Sequence, residues 1–351
     1  MENNEEKIVT PEAPELVVEE EKEYSAFRYG LGAILAFFGF SSKTHHASKK
    51  RQKLVGDVFT YIVLLFGAFL MVYPFWWMLA GSFAFTRTEG TISMFNSMIW
   101  WPSMSTFTAL DNTSGEKVGG FYNYTYLFTR AFTDAGLPVN YWRALLNNLI
   151  YSIVPVVVGV ITSASAAFSF AKIQWIGRNQ IFFFLLAAIM VPGPSIMITQ
   201  YVMYANMGWQ MNGLVLIIPG MFGSIMTAFF IRQFLFGLPT SIIEAAKIDG
   251  AGYFRIFTQF ILPLAMPAIM AQGLLSFMGC WNNYMGSFIF IPRQSSAINL
   301  PHAMYLLNDK AGNNQGPVIA ASVMCVLPVI ILFGCFQKLI IGSLMLTGSK
   351  E

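Results

Sequence analysis

Six stretches of the chain, residues 58–82, 147–171, 180–204, 213–231, 264–291 and 316–337, contain no Asp, Glu, Lys or Arg. Each is close to or above the roughly 20 residues that a helix needs to cross a hydrocarbon core. Charged residues make up 11% of the 351-residue chain, less than half the roughly 25% usual in a soluble domain. A soluble globular enzyme is excluded on that ground, and an all-α polytopic membrane protein with six transmembrane helices is the expected class. Length leaves no room beyond the six spans for an ordinary second domain.

Charge is unevenly placed. Nine of the 18 acidic residues fall between Glu2 and Glu23, so residues 1–28 read as a disordered acidic tail. Residues 29–56 follow as an apolar and then basic segment. Its 12-residue apolar run at 29–40 is too short to span, and acidic residues precede it, which argues against a cleavable signal peptide. The membrane domain is expected over 57–348. With the amino terminus in the cytoplasm, 12 basic residues lie inside, including Lys49, Lys50, Arg51 and Lys53, against six outside. The positive-inside rule therefore places both termini in the cytoplasm. Cys280, Cys325 and Cys335 all sit in apolar stretches, and neither a disulfide framework nor a metal site follows.

Within the spans, Gly159, Ser163, Ala167 and Ala171 recur every four residues and align small side chains on one helix face for close approach of a neighbour. Pro192-Gly193-Pro194 predicts a kink in the third span. No ionisable group lies in a span to bind a coupling ion, and no GxxxxGK(S/T) is present to cradle nucleotide phosphates. The histidines, His45, His46 and His302, read as surface residues, and nothing points to nucleic acid as a partner.

The connection at 232–263 carries the densest signal. Ser241 and Glu244 have capping-box spacing, so a short helix is expected to start at Ser241 and to end at Asp249-Gly250. A second helical stretch, 253–261, is expected to stop at Leu262-Pro263. By physics alone this helix-turn-helix is equally an amphipathic loop lying against the membrane. Its residues, however, follow Glu-Ala-Ala at Glu244, Ala245 and Ala246, three residues, Gly250, nine residues, an apolar Phe260, one residue, and Leu262-Pro263. That pattern resembles the EAA loop of the membrane subunits of ATP-binding-cassette importers. Phe260 departs from the isoleucine usual there. Asn123-Tyr124, Leu145-Leu146-Asn147-Asn148, Met190-Val191-Pro192, Ile231-Arg232-Gln233-Phe234, Asp249-Gly250-Ala251 and Trp281-Asn282 resemble the carbohydrate branch, the maltose-type permeases.

The resemblance implies a type I importer permease fold in the cell membrane of a bacterium. It implies as partners a second six-helix permease, an ABC ATPase dimer, an extracellular sugar-binding protein, membrane lipid and a carbohydrate substrate. The chain itself would be a transport subunit and not an enzyme, binding no cofactor, with ATP and Mg on the partner ATPase. Glu244, Ala245, Ala246, Asp249, Gly250, Ala251, Leu262 and Pro263 would form the ATPase-coupling loop, with the small alanines letting it seat closely. A sugar path needs amides, hydroxyls and aromatic faces without fixed charge. Asn148, Tyr151, Trp281, Asn282, Asn283, Tyr284 and Ser287 supply that chemistry, unless Trp281 and the asparagines only hold helices together. A permease for a peptide or phosphonate, or a stand-alone carrier or channel, remains the alternative at this level.

Overall fold

Proline, glycine and asparagine cut the apolar stretches into more helices than six. The computed structural model describes residues 47–83, 121–209, 212–311 and 315–348. The acidic tail, the 29–40 run, the pair Trp100 and Trp101, and the remainder of the loop between 84 and 120 lie outside the described residues. The helices in chain order are α1 (Ala47–Ser82), α2 (Tyr122–Thr129), α3 (Ala131–Asp134), α4 (Tyr141–Lys172), α5 (Arg178–Ile189) and α6 (Gly193–Asn206). Then come α7 (Leu214–Met221), α8 (Ile225–Phe236), α9 (Ser241–Ile248) and α10 (Tyr253–Ile256). A π-helical turn, Phe257–Ile261, leads into α11 (Leu262–Leu264), followed by α12 (Met266–Trp281), α13 (Tyr284–Phe290), α14 (Leu300–Ala311) and α15 (Gly316–Gly348). No strand occurs among the described residues.

Four helical segments are long and apolar enough to cross a membrane: Gly56–Ser82, Tyr141–Lys172, Leu214–Phe236 and Gly316–Phe336. Two bent pairs bring the number to six if each counts as one crossing. In the first pair α5 and α6 meet at 91° across Pro192. The expected kink is thus a near right angle, because proline residues on both sides of Gly193 remove two amide donors from adjoining turns. In the second pair the helix from Tyr253 to Leu264 and α12 meet at 78°. The chain does not stop at Leu262-Pro263, as the sequence suggested. Helical backbone runs on through Pro263 to Leu264, and the bend falls at Ala265. The expected fifth span, 264–291, breaks again at Asn282 and Asn283.

By chain contacts the described molecule divides into two units, Met1–Val72 and Tyr73–Glu351. In the first, α1 exposes Phe59, Leu65 and Met71. In the second, α4 runs through two cores. One gathers Leu127, Phe132, Tyr141, Tyr151, Trp281, Ile298 and Leu300. The other gathers Val160, Ala164, Phe168, Ile231, Leu235, Ile243 and Ile256.

The small-residue face of α4 receives α7 and α8 as expected. A Cβ on Gly159 would overlap the carbonyl oxygen of Gly220, and one on Gly220 would press on Pro155. Gly223, at φ 86°, turns the chain between α7 and α8. There the Ser224 amide donates to Ser163 Oγ at 2.9 Å, and the Ser163 hydroxyl donates to the Gly159 carbonyl at 2.7 Å.

Candidate functional site

At one end of α4 the 232–263 connection folds into α9, a glycine turn and α10. The backbone of Thr240 is already helical (φ −69°, ψ −24°), and its carbonyl accepts from the Glu244 amide at 3.1 Å. Helical bonding therefore begins one residue earlier than the capping box requires. Ser241 falls inside the first turn, and Thr240 makes no side-chain cap bond. The expected box is not formed. The far end behaves as read: Gly250 adopts φ 78°, its amide reaches the Lys247 carbonyl at 3.0 Å and the Ala251 amide reaches the Ala246 carbonyl at 2.9 Å. Those two bonds satisfy carbonyls that the helix end would leave open.

The loop has two distinct faces. Ile243 and Ala246 of α9, with Ile256, Phe257 and Ile261 beyond the turn, are buried against α4 and α8. Lys172, the last residue of α4, donates to the Leu238 carbonyl at 2.7 Å and ties the loop's start to that helix. The guanidinium of Arg232 lies 4.1 Å from the Phe182 ring and 4.5 Å from the Phe236 ring and donates to the Phe170 carbonyl at 3.3 Å. The opposite face presents Glu244, Ala245, Asp249, Gly250, Pro263 and two large apolar side chains, Ile248 at 86% and Phe254 at 82% exposure. Ala251 and Leu262 are half-buried. Ala246 thus belongs to the inner face and not to the seating surface expected of it. Ile248 and Phe254 were missed, although their offset from Ile243 and Ile256 on a 3.6-residue period would have marked them as pointing away.

At the other end of α4, amides stitch an extended loop in place. Asn147 Nδ2 donates to the carbonyls of Ser296 and Ile298 at 2.8 and 2.9 Å, and the Tyr151 hydroxyl donates to the Ala297 carbonyl at 2.9 Å. Asn148 is fully buried and donates to the Trp281 carbonyl at 3.3 Å, while its Oδ1 has no protein partner. Trp281 is 1% exposed, stacks on Phe277 and donates its indole N–H to the Cys325 carbonyl at 2.9 Å. Ser287 is buried beside His302. Asn148, Tyr151, Trp281 and Ser287 therefore make internal contacts in this conformation. Asn282 and Asn283 are exposed and Tyr284 is half-exposed, so the break between α12 and α13 is where this set meets the outside. Asn283 caps α13 by accepting the Gly286 amide at 2.9 Å.

His302 corrects the surface assignment made from sequence. It is fully buried on α14, its Nδ1 is 3.1 Å from Ser287 Oγ and its amide donates to Asn299 Oδ1 at 3.1 Å. Burial, and then the positive charge of Arg293, push its pKa down to about 4. Asn123 and Tyr124, on α2, pack on the end of α1, where Tyr124 Oη lies 2.7 Å from Ser82 Oγ and Asn123 Nδ2 donates to the Ser82 carbonyl at 2.9 Å. No group of three or more His, Cys, Asp or Glu that could hold a metal ion occurs among the described residues.

Residues 135–344 match the model of a protein family described as the binding-protein-dependent transport system inner membrane component. The arabinooligosaccharides transport system permease protein AraQ of Halalkalibacterium halodurans is 32% identical over 65% of this chain and 78% of its own length. The trehalose/maltose transport system permease protein MalG of Thermococcus litoralis is 28% identical over 82% of this chain and 96% of its own. Among solved structures, a chain of a bacterial ABC transporter involved in import of the acidic polysaccharide alginate superposes with a TM-score of 0.62. It is 19% identical and covers 85% of this chain and 99% of its own. At that identity the likeness speaks for the fold alone.

Proposed function

The chain belongs to the family of binding-protein-dependent transport inner membrane components, and from that premise we propose that it forms half of the translocation path of an ATP-driven oligosaccharide importer. Its fold is that of a type I importer permease, all-α and polytopic, and it is a transport subunit of the inner membrane. ATP hydrolysis lies on a partner ATPase dimer, a second permease completes the path, and an external binding protein delivers the saccharide. The excess of basic residues supports both termini in the cytoplasm, which puts α9 and α10 on the cytoplasmic side.

The observation that carries this reading is the two-faced loop. Ile243, Ala246, Ile256 and Ile261 fix it to α4 and α8, while Glu244, Ile248, Asp249 and Phe254 face outward with no covering element among the described residues. A rigid element whose outer face is apolar and carries charges of both signs, Glu244 and Asp249 with Lys247 and Arg255, is suited to seat in a groove of another protein and to transmit its movement. Closure of the ATPase dimer would push on this face, and the π-helical turn and α11 would carry the displacement to the bend at Ala265. The pathway side uses Asn282, Asn283 and Tyr284, which present amides and an aromatic ring without fixed charge. Asn148, Tyr151, Trp281 and Ser287 hold that break in shape from beneath. Carbohydrate cargo is supported by AraQ and MalG, whose names specify arabinooligosaccharides, trehalose and maltose.

The test is ATP-driven uptake of labelled arabino-, malto- and chito-oligosaccharides by the complex reconstituted in vesicles. Native chain is compared with Glu244→Ala and Gly250→Pro. Proline holds φ near −65° where Gly250 has +78°, so the turn must open. The expected result is uptake that needs ATP and is lost in Gly250→Pro while the chain still inserts. Uptake that proceeds without any ATPase would sink the proposal in favour of a stand-alone carrier.

A further inference from the structure

Three aromatic side chains meet where α13 and α14 come together. Tyr284 and Phe288, one turn apart on α13, have ring centroids 5.3 Å apart. Tyr305 of α14 lies 5.2 Å from Tyr284 and 5.6 Å from Phe288, and the residue is 42% exposed. The Arg293 guanidinium sits 5.5 Å from the Phe288 ring centroid. The exposed amides of Asn282 and Asn283 precede Tyr284 in the chain.

The underside of this cluster is built to stay still. His302 is wholly buried beneath it, 6.2 Å from the Tyr284 ring and 5.6 Å from the Phe288 ring, both in edge-on geometry. Ser287 Oγ contacts His302 Nδ1 and accepts the Asn299 amide at 3.4 Å, while Asn299 Nδ2 donates to the Asn283 carbonyl at 2.9 Å. These bonds lock α13 to α14, so the three rings are presented in one arrangement and not assembled on contact. Preorganised aromatic surface bordered by a few fixed polar groups is what binds a ring having one apolar face and a polar edge.

We propose that Tyr284, Phe288 and Tyr305, with Arg293 at their edge, form a saccharide-stacking platform at the external end of the broken fifth span. A pyranose ring of the cargo lays its C–H face on Tyr284 and Tyr305, and Arg293 donates to hydroxyls on that ring. A guanidinium carries five N–H donors for this, and a cation over an aromatic face is held in place by the ring. The proposal rests on the carbohydrate-importer reading and adds to it the residues that receive the sugar.

The experiment uses the complete complex in vesicles, with the oligosaccharide that the native complex transports. Tyr305→Ala is expected to raise the half-saturating oligosaccharide concentration, and so lower uptake well below saturation, about tenfold, the size of one lost aromatic contact of about 1.4 kcal/mol. Tyr305→Phe, which keeps the ring, is expected to stay within about twofold of native. In parallel, a diazirine-bearing form of the same oligosaccharide should label residues 284–305 in the native chain, with labelling suppressed by unlabelled sugar and reduced in Tyr305→Ala. Native uptake in Tyr305→Ala, or competed labelling only elsewhere in the chain, overturns the platform and leaves the importer reading standing. A native complex that transports no saccharide overturns both.

Discussion

Ile243 and Ile248 lie on one helix, five residues apart, and the two-faced reading of that helix predicts opposite consequences for replacing each by alanine. Ile243 is 6% exposed and packs among Val160, Ile231, Leu235 and Ile256. Removing its outer carbons leaves a cavity and should cost about 2–4 kcal/mol of stability. Ile248 is 86% exposed and should cost less than about 0.5 kcal/mol of stability. If the ATPase covers it, the lost burial weakens docking instead. Fully burying an isoleucine is worth about 1.5–3 kcal/mol. With one methyl retained in alanine, about 1–2 kcal/mol remains at stake, a roughly 5- to 30-fold rise in dissociation constant. The assay takes the assembled permease pair in lipid nanodiscs and measures thermal unfolding by tryptophan fluorescence and ATPase-subunit binding by surface plasmon resonance. Ile243→Ala should unfold earlier, and Ile248→Ala should unfold with the native chain yet bind the ATPase more weakly. If Ile248→Ala binds the ATPase as tightly as native, the outward face is not the docking face and the reasoning fails.

Other expectations are as direct. Gly159→Ala should lower thermal stability by about 1–3 kcal/mol, because the added carbon meets a backbone carbonyl that cannot rotate away; a native unfolding temperature would contradict the close crossing of α4 and α7. His302 has a folded pKa of about 4, below the unfolded value of about 6.5. The unfolded chain therefore binds the extra proton first, and stability should fall as pH drops from about 6.5 to 4, with a slope of up to about 1.4 kcal/mol per pH unit. A His302→Gln chain, titrated over the same window, should show that slope removed, and an unchanged slope would assign the acid sensitivity to another group.

The sequence was most informative where a single period dominates. The uncharged stretches located the four long apolar helices and the two bent pairs in outline, and the four-residue recurrence from Gly159 to Ala171 located the face of α4 that receives α7 and α8. Gly250 was legible because only one backbone feature explains a glycine after Asp249. The capping box was misread because Thr240 and Ser241 both qualify as caps, and the choice is made by the approach of the chain from Leu238, which Lys172 of a distant helix fixes. The fifth span was drawn as continuous because Asn282 and Asn283 are uncharged. What breaks the helix there is tertiary: Asn148 takes the Trp281 carbonyl and Asn299 takes that of Asn283. His302 looked like a surface residue for the same reason, since its partners Ser287 and Asn299 come from neighbouring segments. Ala246 shows the limit of motif reading, because the pattern marks it without saying which way it points.

The crossing of α4 over α7 and α8 has a mechanical corollary. Gly159, Gly220 and Gly223 bring the backbones together with only the Pro155 ring and the Ser163 hydroxyl between them, and the bond from the Ser224 amide to Ser163 holds them in register. Sliding would require one carbonyl to climb over another, so these helices behave as a welded joint. On the proposed importer reading, any change of shape during transport would be taken up elsewhere, at the elbows near Pro192, Ala265 and Asn282. Friction is confined to those elbows, and the weld gives them a fixed frame to turn against.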